Sequence, residues 1–81
     1  MQKNLWHIKC KHTPEIIDRI LMHFRKRGML IESFNYTKKS ESLAQCEIEF
    51  NDEPENAKKI YNNLLRTIDI IEVIPKQKEP N

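Results

Sequence analysis

Between residues 5 and 11 apolar and polar positions alternate, with Trp6, Ile8 and Cys10 on one side and Leu5, His7 and Lys9 on the other. A period of two predicts a strand with one buried face. The period then changes. Ile16, Ile17, Ile20, Leu21 and Phe24 recur at helical spacing, while Glu15, Asp18, Arg19 and Arg25 fall largely outside that stripe, so a helix is expected to cover one face of a sheet. Thr13 is placed to cap this helix, and Pro14 suits its first turn, where a missing N–H costs nothing. Arg25, Lys26 and Arg27 fall in its last turn, where positive charge meets the negative end of the helix dipole. Gly28, the only glycine in the chain, stands where a left-handed residue ends a helix.

A second strand is expected over residues 29–37, with Leu30, Phe34 and Tyr36 on one side and Ile31 on the other. The polar stretch 38–42 turns it into a hairpin with residues 43–50, where Ala44, Cys46, Ile48 and Phe50 alternate with Gln45, Glu47 and Glu49. Asp52 and Glu55 have capping-box spacing around Pro54, and Ala57, Ile60, Tyr61 and Leu64 form the stripe of a second helix. The last strand covers residues 68–74 and Pro75 ends it. One domain over residues 1–75 follows, with 76–81 as a flexible tail. The order βαββαβ is that of the ferredoxin-like α+β sandwich: a four-stranded antiparallel sheet with two helices on one face. Its other face is open. Apolar residues on the second and last strands mark an association surface there.

At 81 residues the chain buries a modest share of its surface, so a partner or a second copy is expected to support it. A net charge of +2 does not argue for a nucleic-acid partner. The exposed positions of the third strand hold acids where an RNA-recognition module would present basic and aromatic residues. Phosphate contact by Arg25, Lys26 and Arg27 is the lesser explanation of that trio, because the helix dipole accounts for it without a ligand. Cys10 and Cys46 lie in alternating apolar segments without C-x-x-C spacing and read as buried free thiols. His7, His12 and His23 are spread over a strand, a loop and a helix, with no ligand spacing for a metal. No nucleophile with its base, no paired carboxylates and no glycine-rich phosphate loop is present, so neither catalysis nor a cofactor is expected. No secretory leader or membrane span precedes the first strand, which makes the cytoplasm the expected compartment.

Taken together, Pro14-Glu15-Ile16-Ile17-Asp18-Arg19-Ile20-Leu21, then Arg25-x-Arg27-Gly28-x-x-Ile31-x-Ser33, then Leu64 with Ile68-Asp69-Ile70 and Val73, resemble the ACT domain of acetolactate synthase small subunits. The start Thr13-Pro14-Glu15 is most similar to the short small subunit of the type II isozyme. The resemblance implies a non-catalytic subunit that binds the thiamine-diphosphate-dependent catalytic subunit and raises its activity in branched-chain amino-acid synthesis. It also implies a homodimer formed through the first helix and second strand, which joins two sheets into one of eight strands. In family members that sense valine or isoleucine, the effector lies at that seam, against the loop before the first helix and the start of the partner's second strand. Carried over position by position, this implies His12, Thr13, Glu15, Ile16, Gly28, Leu30 and Ile31 as effector-binding residues. Sensing members place an asparagine and a glycine-containing turn in that loop. Pro14 here removes a donor and Glu15 opposes a carboxylate, which implies no tight feedback site. The alternative is a stand-alone ACT sensor of a small amino-acid effector.

Overall fold

The computed structural model describes residues 2–77. The chain runs β1 (Gln2–Lys11), α1 (Ile16–Arg25), β2 (Ile31–Lys38), β3 (Leu43–Asp52), α2 (Pro54–Leu65) and β4 (Ile70–Gln77). The strands form one sheet in the order β2-β3-β1-β4, with each neighbouring pair antiparallel. This is the ferredoxin-like sandwich that the hydrophobic pattern implies. β1 and β3 occupy the centre and pair without a break from Gln2↔Asp52 to Lys11↔Leu43.

The alternating residues of the central strands and the stripes of both helices meet in a single core. Trp6, Ile8, Cys10, Ala44, Cys46, Ile48 and Phe50 pack with Ile16, Ile20 and Phe24 of α1 and with Ala57, Ile60 and Leu64 of α2. Three rings anchor it. Trp6 stands edge-on to Phe50 at 4.9 Å and Phe24 to Phe50 at 5.0 Å, and each such pair adds about 0.5–1.5 kcal/mol beyond the area it buries. Both cysteines are free and buried in this layer.

Gly28 ends α1 with φ +65°. Its N–H donates to the Arg25 carbonyl at 3.0 Å and the Met29 N–H donates to the Phe24 carbonyl at 3.1 Å. These are the paired bonds of a Schellman turn, which needs a left-handed residue at this position.

Four expectations are corrected. First, α1 begins at Ile16, not beside Thr13, and no side chain caps it. Pro14 and Glu15 form a turn in which the Thr13 carbonyl, not its hydroxyl, accepts the Ile16 N–H at 3.2 Å. Second, Asp52 and Glu55 form no capping box: the Asp52 carboxylate instead accepts the Glu53 N–H at 2.7 Å and the Asn56 amide at 3.2 Å. Third, the alternation of β2 is broken by a bulge between Ile31 and Ser33. The extra residue moves Ile31 to the same side as Phe34 and Tyr36, and all three pack against the core. The open face over β2 is therefore polar, carrying Ser33, Asn35 and Thr37, and Leu30 precedes the strand at 84% exposure. Fourth, β4 starts at Ile70, because Thr67 to Asp69 are used in a turn closed by the Ile70 N–H on the Thr67 carbonyl at 3.2 Å, with Asp69 at φ +72°. Pro75 does not end the strand. It pairs opposite Trp6 on an edge strand, the setting in which a missing N–H is tolerated. The strand thus continues two residues into the expected tail, and residues 78–81 lie outside the described residues.

The remaining open face is held by charge pairs between strands: Lys9 with Glu72 at 3.4 Å, and His7 Nε2 with Glu47 at 3.1 Å. The Gln45 amide donates to His7 Nδ1 at 3.4 Å, so Nε2 carries the proton that meets Glu47. Exposed pairs of this kind contribute about 0–1 kcal/mol each. They serve strand register more than stability.

Candidate functional site

The residues singled out by the family resemblance fall into two groups at opposite ends of the sheet. His12, Thr13, Glu15 and Ile16 surround the connection from β1 to α1. This loop is clipped to the hairpin: the His12 N–H donates to the Ser42 carbonyl at 2.9 Å, and His12 Nδ1 meets the Tyr36 hydroxyl at 2.8 Å with the rings 5.7 Å apart. Tyr36 is not among the expected site residues because the alternation of β2 groups it with Leu30 and Phe34 as association surface. Ile16 is fully buried and Glu15 is exposed.

Thr13 is the chemically unusual member. Its hydroxyl is buried and has no hydrogen-bond partner among the described residues. A buried hydroxyl left in this state costs about 1–3 kcal/mol. Such a hydroxyl is ordinarily satisfied by ordered water or by another molecule.

Gly28, Leu30 and Ile31 form the second group, where the chain leaves α1 and enters β2. Gly28 and Leu30 line a cleft of ≈ 340 Å³ with Arg27, Met29, Glu32 and Asn51 among its walls. Ile31 sits beside it, opposite Phe50 and packed on the core. The first group lies at the Leu43 end of β3 and this one at the Phe50 end. Seven residues of strand separate those ends, about 23 Å at 3.3 Å per residue. One small ligand cannot touch both groups within a single chain.

A second copy would remove that obstacle. Among the described residues β2 is an edge strand, with only β3 beside it. Antiparallel pairing of two β2 edges about a twofold axis would set the start of one strand beside the end of the other. The Thr13 loop of one protomer would then face Leu30 and Ile31 of its partner.

The chemistry elsewhere is sparse. Among the described residues no group of three or more His, Cys, Asp and Glu side chains is placed to hold a metal ion. Burial, and secondarily the neighbouring Cys10, pushes the Cys46 thiol up to about 12, and burial with Asp69 nearby raises Cys10. Neither is a nucleophile near neutral pH, because the thiolate is the reactive form. No described helix is long and apolar enough to cross a membrane.

The helix ends hold a group that the hydrophobic pattern does not reveal. His23, Lys26 and Arg27 of the α1 end meet Asn63, Arg66 and Thr67 of the α2 end around a cleft of ≈ 630 Å³. Of the basic trio, Arg25 does not line this cleft. Its place is taken by Arg66, 41 residues further along the sequence, a neighbour that only the packing of the helices discloses.

No protein-family model matches the sequence, and no curated protein matches it. Solved structures do match in shape. The small subunit of acetolactate synthase from Thermotoga maritima superposes with a TM-score of 0.79 over 93% of this chain and 47% of its own, at 16% identity. The regulatory subunit of aspartate kinase from Thermus thermophilus gives 0.76 over 93% of this chain and 50% of its own, also at 16% identity. The ACT domain of a GTP pyrophosphokinase from Chlorobium tepidum gives 0.76 at 10% identity and is covered over 88% of its length. The chain thus spans about half the length of the two subunits and nearly all of the isolated ACT domain. Its βαββαβ sandwich is the fold of an ACT domain.

Proposed function

We propose that the chain is a non-catalytic regulatory domain that acts as a homodimer and activates the catalytic subunit of acetolactate synthase. The observation that carries this reading is the separation of the two residue groups across an unpaired β2 edge. A site divided in this way is completed only by a second copy, joined along α1 and β2 into an eight-stranded sheet. The unpartnered Thr13 hydroxyl and the exposed Leu30 would meet at that seam. The shape shared with the Thermotoga maritima small subunit supports the choice of enzyme, and so do the motifs around Pro14, Gly28 and Ile68-Asp69-Ile70.

Valine or isoleucine is the effector class that suits the seam, through its ammonium and carboxylate groups against Thr13 and the loop backbone and its branched side chain against Leu30 and Ile31. Glu15 and Pro14 oppose a tight carboxylate site, so activation is expected to exceed feedback inhibition. The cytoplasm, where this biosynthesis runs, is the expected compartment.

The test is the rate of acetolactate formation by the catalytic subunit of the same organism, alone and with this protein, each with and without valine. A several-fold rise with little valine effect is expected. No rise and no complex would replace this reading with a stand-alone sensor of an amino acid. In that case valine or isoleucine should raise the melting temperature of the isolated protein.

A further inference from the structure

Basic side chains from two helix ends converge on one hollow. Lys26 and Arg27 follow α1, Arg66 follows α2, and among the described residues no carboxylate lines the ≈ 630 Å³ cleft between them. None of the three forms an ion pair with any described residue. Stabilisation of the helix dipoles explains a cation at each helix end. It does not explain why cations from both ends share a single concavity, where their mutual repulsion is a cost. Nor are they needed as caps. The last α1 carbonyls already accept the N–H groups of Lys26, Arg27, Gly28 and Met29, and those of Asn63 and Leu64 accept the N–H groups of Arg66 and Thr67.

The floor of the cleft is ordered. Thr67 spends its hydroxyl proton on the Asn63 carbonyl at 2.8 Å, so its oxygen accepts from His23 Nε2 at 2.7 Å. That bond fixes the imidazole ring with Nε2 protonated. Burial, then the nearby Lys26 ammonium, keeps the ring below its ordinary pKa.

We propose that this cleft binds a small anion bearing a phosphate or pyrophosphate group. Two guanidinium groups and an ammonium, carried on separate segments, offer more donors from more directions than one carboxylate can use, and they suit the several oxygens of a phosphate. The volume lies within the range of small-molecule sites, about 300–1,000 Å³. A nucleic-acid backbone fits less well, because the open sheet face carries the carboxylates Glu47, Glu49 and Glu72. The site belongs to a single chain and touches the proposed dimer seam only through Arg27, which also borders the Gly28–Leu30 cleft.

Titrating inorganic pyrophosphate into the full chain at about 20 mM salt, where screening is weak, tests this directly. Saturable calorimetric binding is expected, with NMR shifts centred on His23, Asn63 and Thr67 and an upward move of the His23 titration. Lys26→Gln with Arg66→Gln should weaken binding by about tenfold or more, roughly 1.4 kcal/mol, while Lys58→Gln with Lys59→Gln on exposed α2 positions should not. All four positions are exposed, so circular dichroism should show both double variants folded. Absence of saturable binding, or equal loss in both double variants, would overturn the proposal. So would a single-stranded oligonucleotide that binds in preference to pyrophosphate.

Discussion

A side chain added at Gly28 would meet nothing within 4 Å, yet the residue sits at φ +65°. Its constraint is therefore angular and not steric crowding from neighbours. Gly28→Val should lower stability by more than about 1 kcal/mol, because a β-branched residue resists positive φ. Gly28→Asn should cost much less, since asparagine enters that region. Denaturant midpoints for the two variants check this, and equal midpoints would contradict it. Cys46 makes a different kind of prediction. Its unfolded thiol titrates near 9.0 and its buried one at about 12. Between those values the folded state keeps a proton that the unfolded chain has lost, so stability falls as pH rises through that window. His23 acts at the other end. Its folded pKa is lowered, so the unfolded chain binds the proton more readily, and stability falls as pH drops below about 6.5. Denaturant titrations across pH should show both slopes, the first reduced in Cys46→Ala and the second in His23→Gln.

β4 accepts a proline opposite Trp6 because it is an edge. Pro75 removes one donor from a row of unpaired backbone groups that could otherwise recruit another chain. Pro75→Val should leave the helices intact by circular dichroism but increase high-mass species in light scattering, and unchanged scattering would show that β4 needs no such protection. The same strand shows what could be read from sequence and what could not. Strict alternation in β1 and β3 and the stripes of both helices announced the core, because each residue's side follows from its position alone. The bulge at Ile31 and Ser33 was invisible, since a single extra residue reverses parity without leaving a mark in composition. Likewise Pro75 reads as a strand end unless the strand is known to lie at the edge of the sheet. Thr13 and Asp52 had the right residue types for caps, but the turn at Pro14 displaced the first, and the Glu53 N–H and the Asn56 side-chain amide occupy the carboxylate of the second. The basic cleft depends on how two helices pack, which no local pattern encodes.

The assembled molecule is where Leu30 becomes informative. At 84% exposure it contributes little to the fold of one chain, so replacing it should leave the monomer intact. In the proposed dimer it would be buried twice, once in each protomer. Burying a leucine side chain is worth about 1.5–3 kcal/mol, so two copies contribute about 3–6 kcal/mol to association, and an introduced charge would add a desolvation cost. At 1.4 kcal/mol per tenfold change in affinity, Leu30→Asp should weaken the dimer by at least about a hundredfold. Sedimentation should then find monomers at concentrations where the parent protein is paired. The parent's melting temperature should rise with protein concentration while the variant's does not, because association stabilises only the folded state. The proposed activation of acetolactate synthase should fall with the dimer if the seam forms part of the regulatory surface. A Leu30→Asp protein that remains dimeric would move the seam away from the β2 entrance and leave the two halves of the candidate site unconnected.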